Sequence, residues 1–118
     1  MTVIAEKKEV RAVAKYVRSS PLKIRRILNL IRGKDVLQAK AILKILPHKA
    51  ARLAELVLAS AVANAGNTHK MNKEKLMITK ALADQAFIMK RFRAASRGRG
   101  VSIHKKLSHI TIAVKEQA

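Results

Sequence analysis

The sequence predicts an α+β fold in which three helices pack on a small antiparallel β-sheet and a long basic β-hairpin protrudes. A chain of 118 residues, 49% of them hydrophobic, suits one domain with a core. Segments of helical periodicity fill the first half, and an acid-free basic stretch, residues 90–109, separates two alternating segments near the end. We therefore expect a single domain over residues 1–118, with a globular part at about 8–88 and 108–116 and an extended hairpin at about 84–110.

The first strand and the first helix follow from local signals. Residues 10–16 alternate, with Val10, Ala12, Ala14 and Tyr16 on one face of the predicted strand. Ser20 then supplies an N-cap, Pro21 suits the first helical position, and Gly33 ends the helix. The apolar residues between them recur at helical spacing: Ile24, Ile27, Leu28 and Ile31.

Two further helices complete the first half of the chain. Asp35 with Gln38 resembles a capping box, and Pro47 ends the helix that follows. Its apolar stripe is Val36, Ala39, Ile42, Leu43 and Leu46. A third helix is expected from His48 to about Asn67, ending at Gly66. Because it is apolar on nearly all sides, we expect it to be the buried helix.

Strand patterns follow the polar connector 68–75. Leu76, Ile78 and Leu82 alternate with their neighbours, and so do Ile110, Ile112 and Val114 near the end. The apolar residues before them have the opposite parity: Val101, Ile103 and Leu107. This change of phase predicts a β-bulge or bend near residues 107–110, where the hairpin joins the sheet.

The charge points to a polyanionic partner. The chain has 26 Lys and Arg against 7 Asp and Glu, a net charge of +19. In the hairpin the cations have no compensating acids and no core stripe, so contact with phosphate is the economical interpretation. Only three residues are aromatic, so the composition offers no stacking platform, and recognition would depend on shape and phosphate.

The first helix adds a second group of cations. Lys23, Arg25 and Arg26 lie in its first turns, where the helix dipole disfavours positive charge. A phosphate at the helix N-terminus would satisfy them, and a solvated basic face is the alternative. Arg32 and Lys34 flank Gly33, where either helix capping or RNA contact explains them.

Other functional classes find little support in the sequence. Cysteine is absent, which excludes disulfides and cysteine-based zinc sites, and the four histidines lack metal-ligand spacing. The seven acids are scattered, so we expect no catalytic site, no metal and no cofactor. The longest nearly apolar stretch, residues 53–65, is too short for a membrane span, and the N-terminus has no signal-peptide pattern.

Three stretches together resemble the universal large-subunit ribosomal protein family conventionally numbered twenty-two. They are residues 20–34, from Ser-Pro-Leu-Lys-Ile-Arg to Ile-Arg-Gly-Lys, residues 60–65, Ser-Ala-Val-Ala-Asn-Ala, and the hairpin from Lys-Arg-Phe-Arg at 90–93 to Lys-Lys-Leu-Ser-His-Ile-Thr at 105–111. The resemblance covers about residues 10–114. The chain departs from the family's pattern before the hairpin, where Asp-x-Gly-Pro is usual and this chain has Asp84-Gln85-Ala86-Phe87, and at the tip, where the usual proline is replaced.

The resemblance implies a structural constituent of the large ribosomal subunit, located in a cytoplasmic ribosome, with an organellar ribosome left open. It implies binding to large-subunit ribosomal RNA, help in subunit assembly, and a hairpin that lines the polypeptide exit tunnel. Its partners would be that RNA, neighbouring large-subunit proteins and the nascent polypeptide, with no membrane and no DNA.

The expected RNA-binding residues are the cations of the first helix and the hairpin together with two histidines: Arg18, Lys23, Arg25, Arg26, Arg32, Lys34, Lys90, Arg91, Arg93, Arg97, Arg99, His104, Lys105, Lys106 and His109. The expected tunnel-lining residues are Arg93, Ala94, Ala95, Ser96, Arg97, Gly98 and Arg99. An architectural DNA-binding protein with a basic β-arm is the alternative, although alanines, serine and glycines at the tip offer no apolar wedge.

Overall fold

Three helices pack on a three-stranded antiparallel sheet in the computed structural model, which describes residues 9–116. In chain order the elements are β1 (Val10–Val17), α1 (Pro21–Ile31), α2 (Val36–Ile45), α3 (Lys49–Ala63), a π-helical turn (Asn64–Thr68), a 3₁₀ turn (Lys73–Lys75), β2 (Leu76–Ala94), a second 3₁₀ turn (Ser96–Gly98) and β3 (Gly100–Glu116). The sheet order is β1-β3-β2, so β3 is the central strand. The predicted α+β class is confirmed.

The predicted ends of α1 are confirmed by its caps. Ser20 is the N-cap, and its Oγ accepts a hydrogen bond from the backbone N–H of Lys23 at 3.5 Å. At the other end Gly33 has φ +78°, a conformation that glycine adopts without the clash of a Cβ. Its N–H donates to the carbonyl of Ile78 at 3.1 Å, which joins the end of the helix to β2.

One apolar cluster joins the helices to the sheet. Its largest fully buried side chains come from every layer, and they include Ile24, Ile27, Leu28, Ile31, Leu43, Leu58, Ile78, Ile110 and Ile112. The stripes predicted for α1 and for the end of β3 are therefore the ones that face this core. The hairpin extends from this packed body.

The third helix ends in a different helical form from the one expected, and one of its sides is exposed. Its α-helical part ends at Ala63, and residues 64–68 form a π-helical turn. Leu58 is fully buried, whereas Leu56 is 69% exposed beside a shallow groove along β1. Apolar composition does not show on how many sides a helix is packed, and a helix in a two-layer fold keeps one side exposed to solvent. Seven residues of α3 are buried, against five in α1 and three in α2, so the expectation that it is the buried helix is confirmed, although one side of it is exposed.

The irregularity expected in β3 lies in its two neighbours instead. Register shifts occur in β1 between Ala14 and Val17 and in β2 between Gln85 and Ile88, and both lie opposite the same part of β3, around Ser108. The edge strands therefore contain the extra residues, as is usual for β-bulges, while the central strand continues. The irregularity was thus predicted at the correct position along the sheet, near residues 107–110, but in the wrong strand.

These shifts overturn two predicted side-chain directions. Tyr16 was expected to share a face with Val10 and Ala12, which are buried, but it lies in the β1 bulge with φ +57° and is 56% exposed. A further shift in β2, between Ile78 and Lys80, turns Leu82 to an exposed position and buries Ala81 instead. One extra residue reverses the alternation of a strand, so periodicity on one side of a bulge does not predict the other.

The hairpin is a continuation of the sheet. β2 and β3 stay paired from Leu76 opposite Glu116 to Ala94 opposite Gly100, whereas β1 is last paired at Val17 opposite Ser108. Beyond that point the ribbon has two strands only. The molecule is accordingly elongated, with principal extents of 74 × 31 × 21 Å.

Candidate nucleic-acid interface

The two-stranded ribbon presents cations on both of its faces. Cross-strand partners share a face and successive residues alternate, so the ladder assigns each side chain to one face. One face holds Ile88 with Lys106, Lys90 with His104 and Phe92 with Ser102, and the other holds Met89 with Lys105, Arg91 with Ile103 and Arg93 with Val101. Every cation in these pairs is exposed. A polyanion would therefore have to surround the ribbon to neutralise it.

A tight turn closes the ribbon at the tip. The N–H of Ala95 donates to the carbonyl of Arg99 at 2.7 Å, and Arg97 and Gly98 have φ of +60° and +71°. Left-handed backbone at a non-glycine residue is uncommon, so Arg97 is held in an unfavourable conformation. The expected tunnel-lining residues 93–99 all lie at this far end, and all but the half-buried Ala95 are exposed.

A cleft of about 510 Å³ lies between the N-terminal ends of α1 and α3. Arg18, Lys23 and Arg26, three of the expected binding residues, line it together with His48 and Lys49. Its lining contains no acidic residue, and both helix ends add partial positive charge from unpaired N–H groups. The fold thus gathers charges that are far apart in the sequence.

A smaller cavity continues the cleft toward the hairpin. It has a volume of about 240 Å³ and shares Arg18 and Lys49 with the cleft, and its other cations are Lys105 and Lys106. Lys49 also donates from Nζ to the carbonyl of Arg18 at 3.1 Å, which links α3 to the end of β1. The cationic lining therefore extends from the two helix N-termini to the base of the ribbon.

Sequence reasoning did not include His48 and Lys49 among the candidate residues. They follow Pro47 at the start of α3, whose first turn contains no acidic residue. A cation at the start of a helix, the feature that drew attention to α1, was the available signal at Lys49. Only the fold shows that the two helix starts line one cleft.

Arg25 and Arg32, two of the expected binding residues, form hydrogen bonds to the backbone of β2. Arg25 donates from Nε to the carbonyl of Ala83 at 2.9 Å. Arg32 donates from Nη2 to the carbonyl of Ala81 at 2.5 Å and from Nη1 to Asn29 Oδ1 at 2.8 Å. Carbonyl oxygens of β2 therefore partly compensate the charge of these guanidinium groups. The same hydrogen bonds connect α1 to β2.

Replacing Arg32 by alanine should consequently destabilise the protein. Loss of its part-buried hydrogen bond to Ala81 and its exposed hydrogen bond to Asn29 should lower the free energy of unfolding by about 1–2 kcal/mol in urea denaturation. Lys23→Ala is the control, because it removes an exposed cation near the N-terminus of the same helix and should be neutral or slightly stabilising. Equal stability of the two variants would contradict the role of Arg32 in connecting α1 to β2.

His109 differs from His104 in its surroundings. His104 is exposed on the ribbon, whereas His109 is half-buried and its Nδ1 accepts a hydrogen bond from the backbone N–H of Tyr16 at 3.2 Å. The Tyr16 and His109 rings meet edge to face with centroids 4.9 Å apart, and the Phe87 ring lies 5.6 Å from that of Tyr16. The composition argument against a stacking platform assumed separate rings, but the fold brings two of the three together.

Within residues 9–116 no group of three or more His, Asp or Glu side chains is placed to hold a metal ion. Over the same residues no helix has the length and apolar character needed to cross a membrane.

The fold and its charges define a class: a small basic α+β protein that exposes a cationic β-ribbon and a cationic cleft, the features typical of nucleic-acid-binding proteins. Residues 12–115 match the family described as ribosomal protein L22p/L17e. The chain belongs to this family.

Curated relatives agree with the family assignment over nearly the whole chain. A protein of Clostridium novyi (strain NT), named large ribosomal subunit protein uL22, is 51% identical over 110 residues, which cover 93% of this chain and 99% of the relative. The protein of the same name from Halothermothrix orenii is 51% identical over 109 residues, 92% and 96% of the two chains. Large ribosomal subunit protein uL22c of Cyanophora paradoxa is 46% identical over 110 residues, 93% and 96% of the two chains.

The resemblance stated from the sequence motifs is thus confirmed. The family consists of structural ribosomal proteins and not of enzymes, which also confirms the expectation that this chain is not an enzyme.

Proposed function

We propose that this chain is a structural constituent of the large ribosomal subunit that binds large-subunit ribosomal RNA, aids assembly of the subunit and lines the polypeptide exit tunnel with its hairpin. The observation that supports this most strongly is the ribbon with exposed cations on both faces and no acid between residues 90 and 109. A strand pair of this kind has no core of its own. Surrounding RNA phosphates would supply the missing contacts on both sides.

Most of the expected binding residues fall into two proposed contact regions. The ribbon region consists of Lys90, Arg91, Arg93, Arg97, Arg99, His104, Lys105 and Lys106. The cleft region consists of Arg18, Lys23 and Arg26, with Lys49 and His48 added by the fold. Because the two regions are joined through Arg18 and Lys49, one RNA backbone can follow the cations from the body to the ribbon.

Help in assembly follows from the same geometry. A ribbon that contacts RNA on both faces has to be enclosed by RNA segments, and neutralising its charge would favour their approach to one another. Neighbouring large-subunit proteins are the other proposed partners. The tip residues 93–99, mostly small or basic and exposed, are the proposed tunnel wall that faces the nascent polypeptide.

Sedimentation tests the proposed location. A lysate in which the chain carries a tag is centrifuged through a high-salt sucrose gradient, and the chain is detected in every fraction. We expect it to stay with the large subunit, because charges enclosed by RNA are screened less than charges on a surface. Its release at moderate salt and recovery with DNA would favour the architectural DNA-binding alternative instead.

Crosslinking tests the proposed tunnel contact. A photoreactive amino acid replaces Ser96 at the tip, and a matched variant has it at Asn72, an exposed residue of the connector before β2. In translating ribosomes the tip variant should form an adduct with the nascent chain and the connector variant should not. Equal labelling by both variants, or labelling by neither, would refute the tunnel-lining role.

A further inference from the structure

Three rings meet where the ribbon leaves the body. The β1 bulge contains Tyr16, the β2 bulge contains Phe87, and His109 lies on the central strand between them. Two bulges at the same level of β3 thus bring residues of both edge strands together, and we call this group the aromatic cluster. Tyr16 and Phe87 remain 56% and 57% exposed. Two large rings are therefore presented to a partner.

The cluster holds its rings in a defined arrangement. Tyr16 has φ +57°, an uncommon conformation for a bulky residue, and its N–H is directed to His109 Nδ1 instead of a carbonyl of the ladder. The Tyr16 and Phe87 rings are inclined by 49° to each other, so they do not cover one another face to face. Strained residues of this kind persist only where the surrounding structure holds them, and they are concentrated at functional positions.

The surroundings favour a nucleic-acid base over an apolar protein segment. Arg18 is two residues from Tyr16 and lines both cavities, and Lys106 is paired with Ile88 next to Phe87. Exposed aromatic rings near cations suit a base attached to a phosphate backbone, since aromatic rings stack on unpaired bases while cations hold the phosphates. Phe87 also occupies the position where the family's pattern has proline, so the cluster reflects this chain's own residues.

We propose that Tyr16 and Phe87 form a stacking surface for an unpaired base of large-subunit ribosomal RNA. His109 is a positioning residue that holds the Tyr16 backbone through Nδ1. This inference rests on the proposed function, because it assigns one contact within the RNA interface. It adds recognition of a base to an interface that otherwise contacts phosphate.

Binding of the full chain to full-length large-subunit ribosomal RNA from the source organism tests the inference. Phe87→Ala should weaken binding by roughly 5- to 150-fold, the range expected for the loss of one stacking contact. The slope of affinity against salt should not change, because no charge is removed. Leu82→Ala is the matched control, since it removes an exposed apolar side chain from the same strand, and it should leave the affinity unchanged.

Two further substitutions separate stacking from other apolar contacts. Phe87→Tyr keeps the ring and should bind like the wild type, whereas Phe87→Leu should bind as weakly as the alanine variant. Full binding by the leucine variant would overturn the proposal and favour an apolar protein contact. Full binding by the alanine variant would overturn it as well. In either case, salt-dependent binding of the RNA by the wild type would leave the proposed function intact.

Zero-length ultraviolet crosslinking of the wild-type complex gives a test that does not depend on folding of a variant. Mass spectrometry should find a nucleotide attached to Tyr16 or Phe87. Adducts confined to other residues would overturn the stacking contact, and failure of the wild type to bind the RNA at all would overturn the proposed function with it.

Discussion

Replacing Arg91, Arg93, Arg97 and Arg99 by alanine is expected to cause the largest loss of RNA affinity. The four exposed side chains lie in the outer half of the ribbon and at its tip. Each lost phosphate contact should make the plot of log affinity against log salt shallower by roughly 0.7–0.9, so the variant should lose about three units of slope in total. The measurement is binding to large-subunit ribosomal RNA over a series of salt concentrations.

A second variant with the same loss of charge is the control. Lys40, Lys44, Lys73 and Lys75 belong to α2 and the connector, outside the ribbon and the cleft. Changing them to alanine lowers the net charge by the same four units but removes no proposed contact. The control should keep most of the wild-type slope. If both variants lose the same slope, overall charge and not the ribbon determines binding.

The largest loss of stability is expected from Leu58→Ala. Leu58 is fully buried in α3 within the cluster that joins helices and sheet. Removing its side chain should leave a cavity and lower the free energy of unfolding by about 2–5 kcal/mol, a large part of what a domain of this size has. Urea denaturation of the isolated chain, followed by circular dichroism, measures the change.

Leu56→Ala is the matched control for this substitution. Leu56 belongs to the same helix and loses the same atoms, but its side chain is 69% exposed. Its replacement should change the free energy of unfolding by about 0.5 kcal/mol or less. Similar losses for both leucines would mean that α3 is covered on a side that the structure leaves open.

Local signals in the sequence predicted the elements best. Ser20, Pro21 and Gly33 define the ends of α1 because each acts through its own backbone or side chain. The hairpin was equally predictable, because a long basic stretch without acids cannot join a core. These features depend on neighbours in the chain and not on the packing of distant segments.

Features that depend on packing could not be predicted. The bulges in β1 and β2 are properties of a register between strands that are far apart in sequence, so the exposure of Tyr16 had no local signal. The same holds for the cleft, where Lys49 of α3 meets Arg18 at the end of β1. The bonds from Arg25 and Arg32 to β2 likewise require the helix to lie on that strand.

The two-stranded ribbon also bears on how copies of the chain behave before they meet RNA. Between the Ile88–Lys106 pair and the tip, each strand of the ribbon is paired on one side only in the part of the chain that the structure describes. Each strand therefore has an edge with the backbone geometry that another strand could join. Dense like charge on both faces opposes the approach of a second ribbon. The cations proposed to bind RNA therefore also protect the free protein from edge-to-edge aggregation.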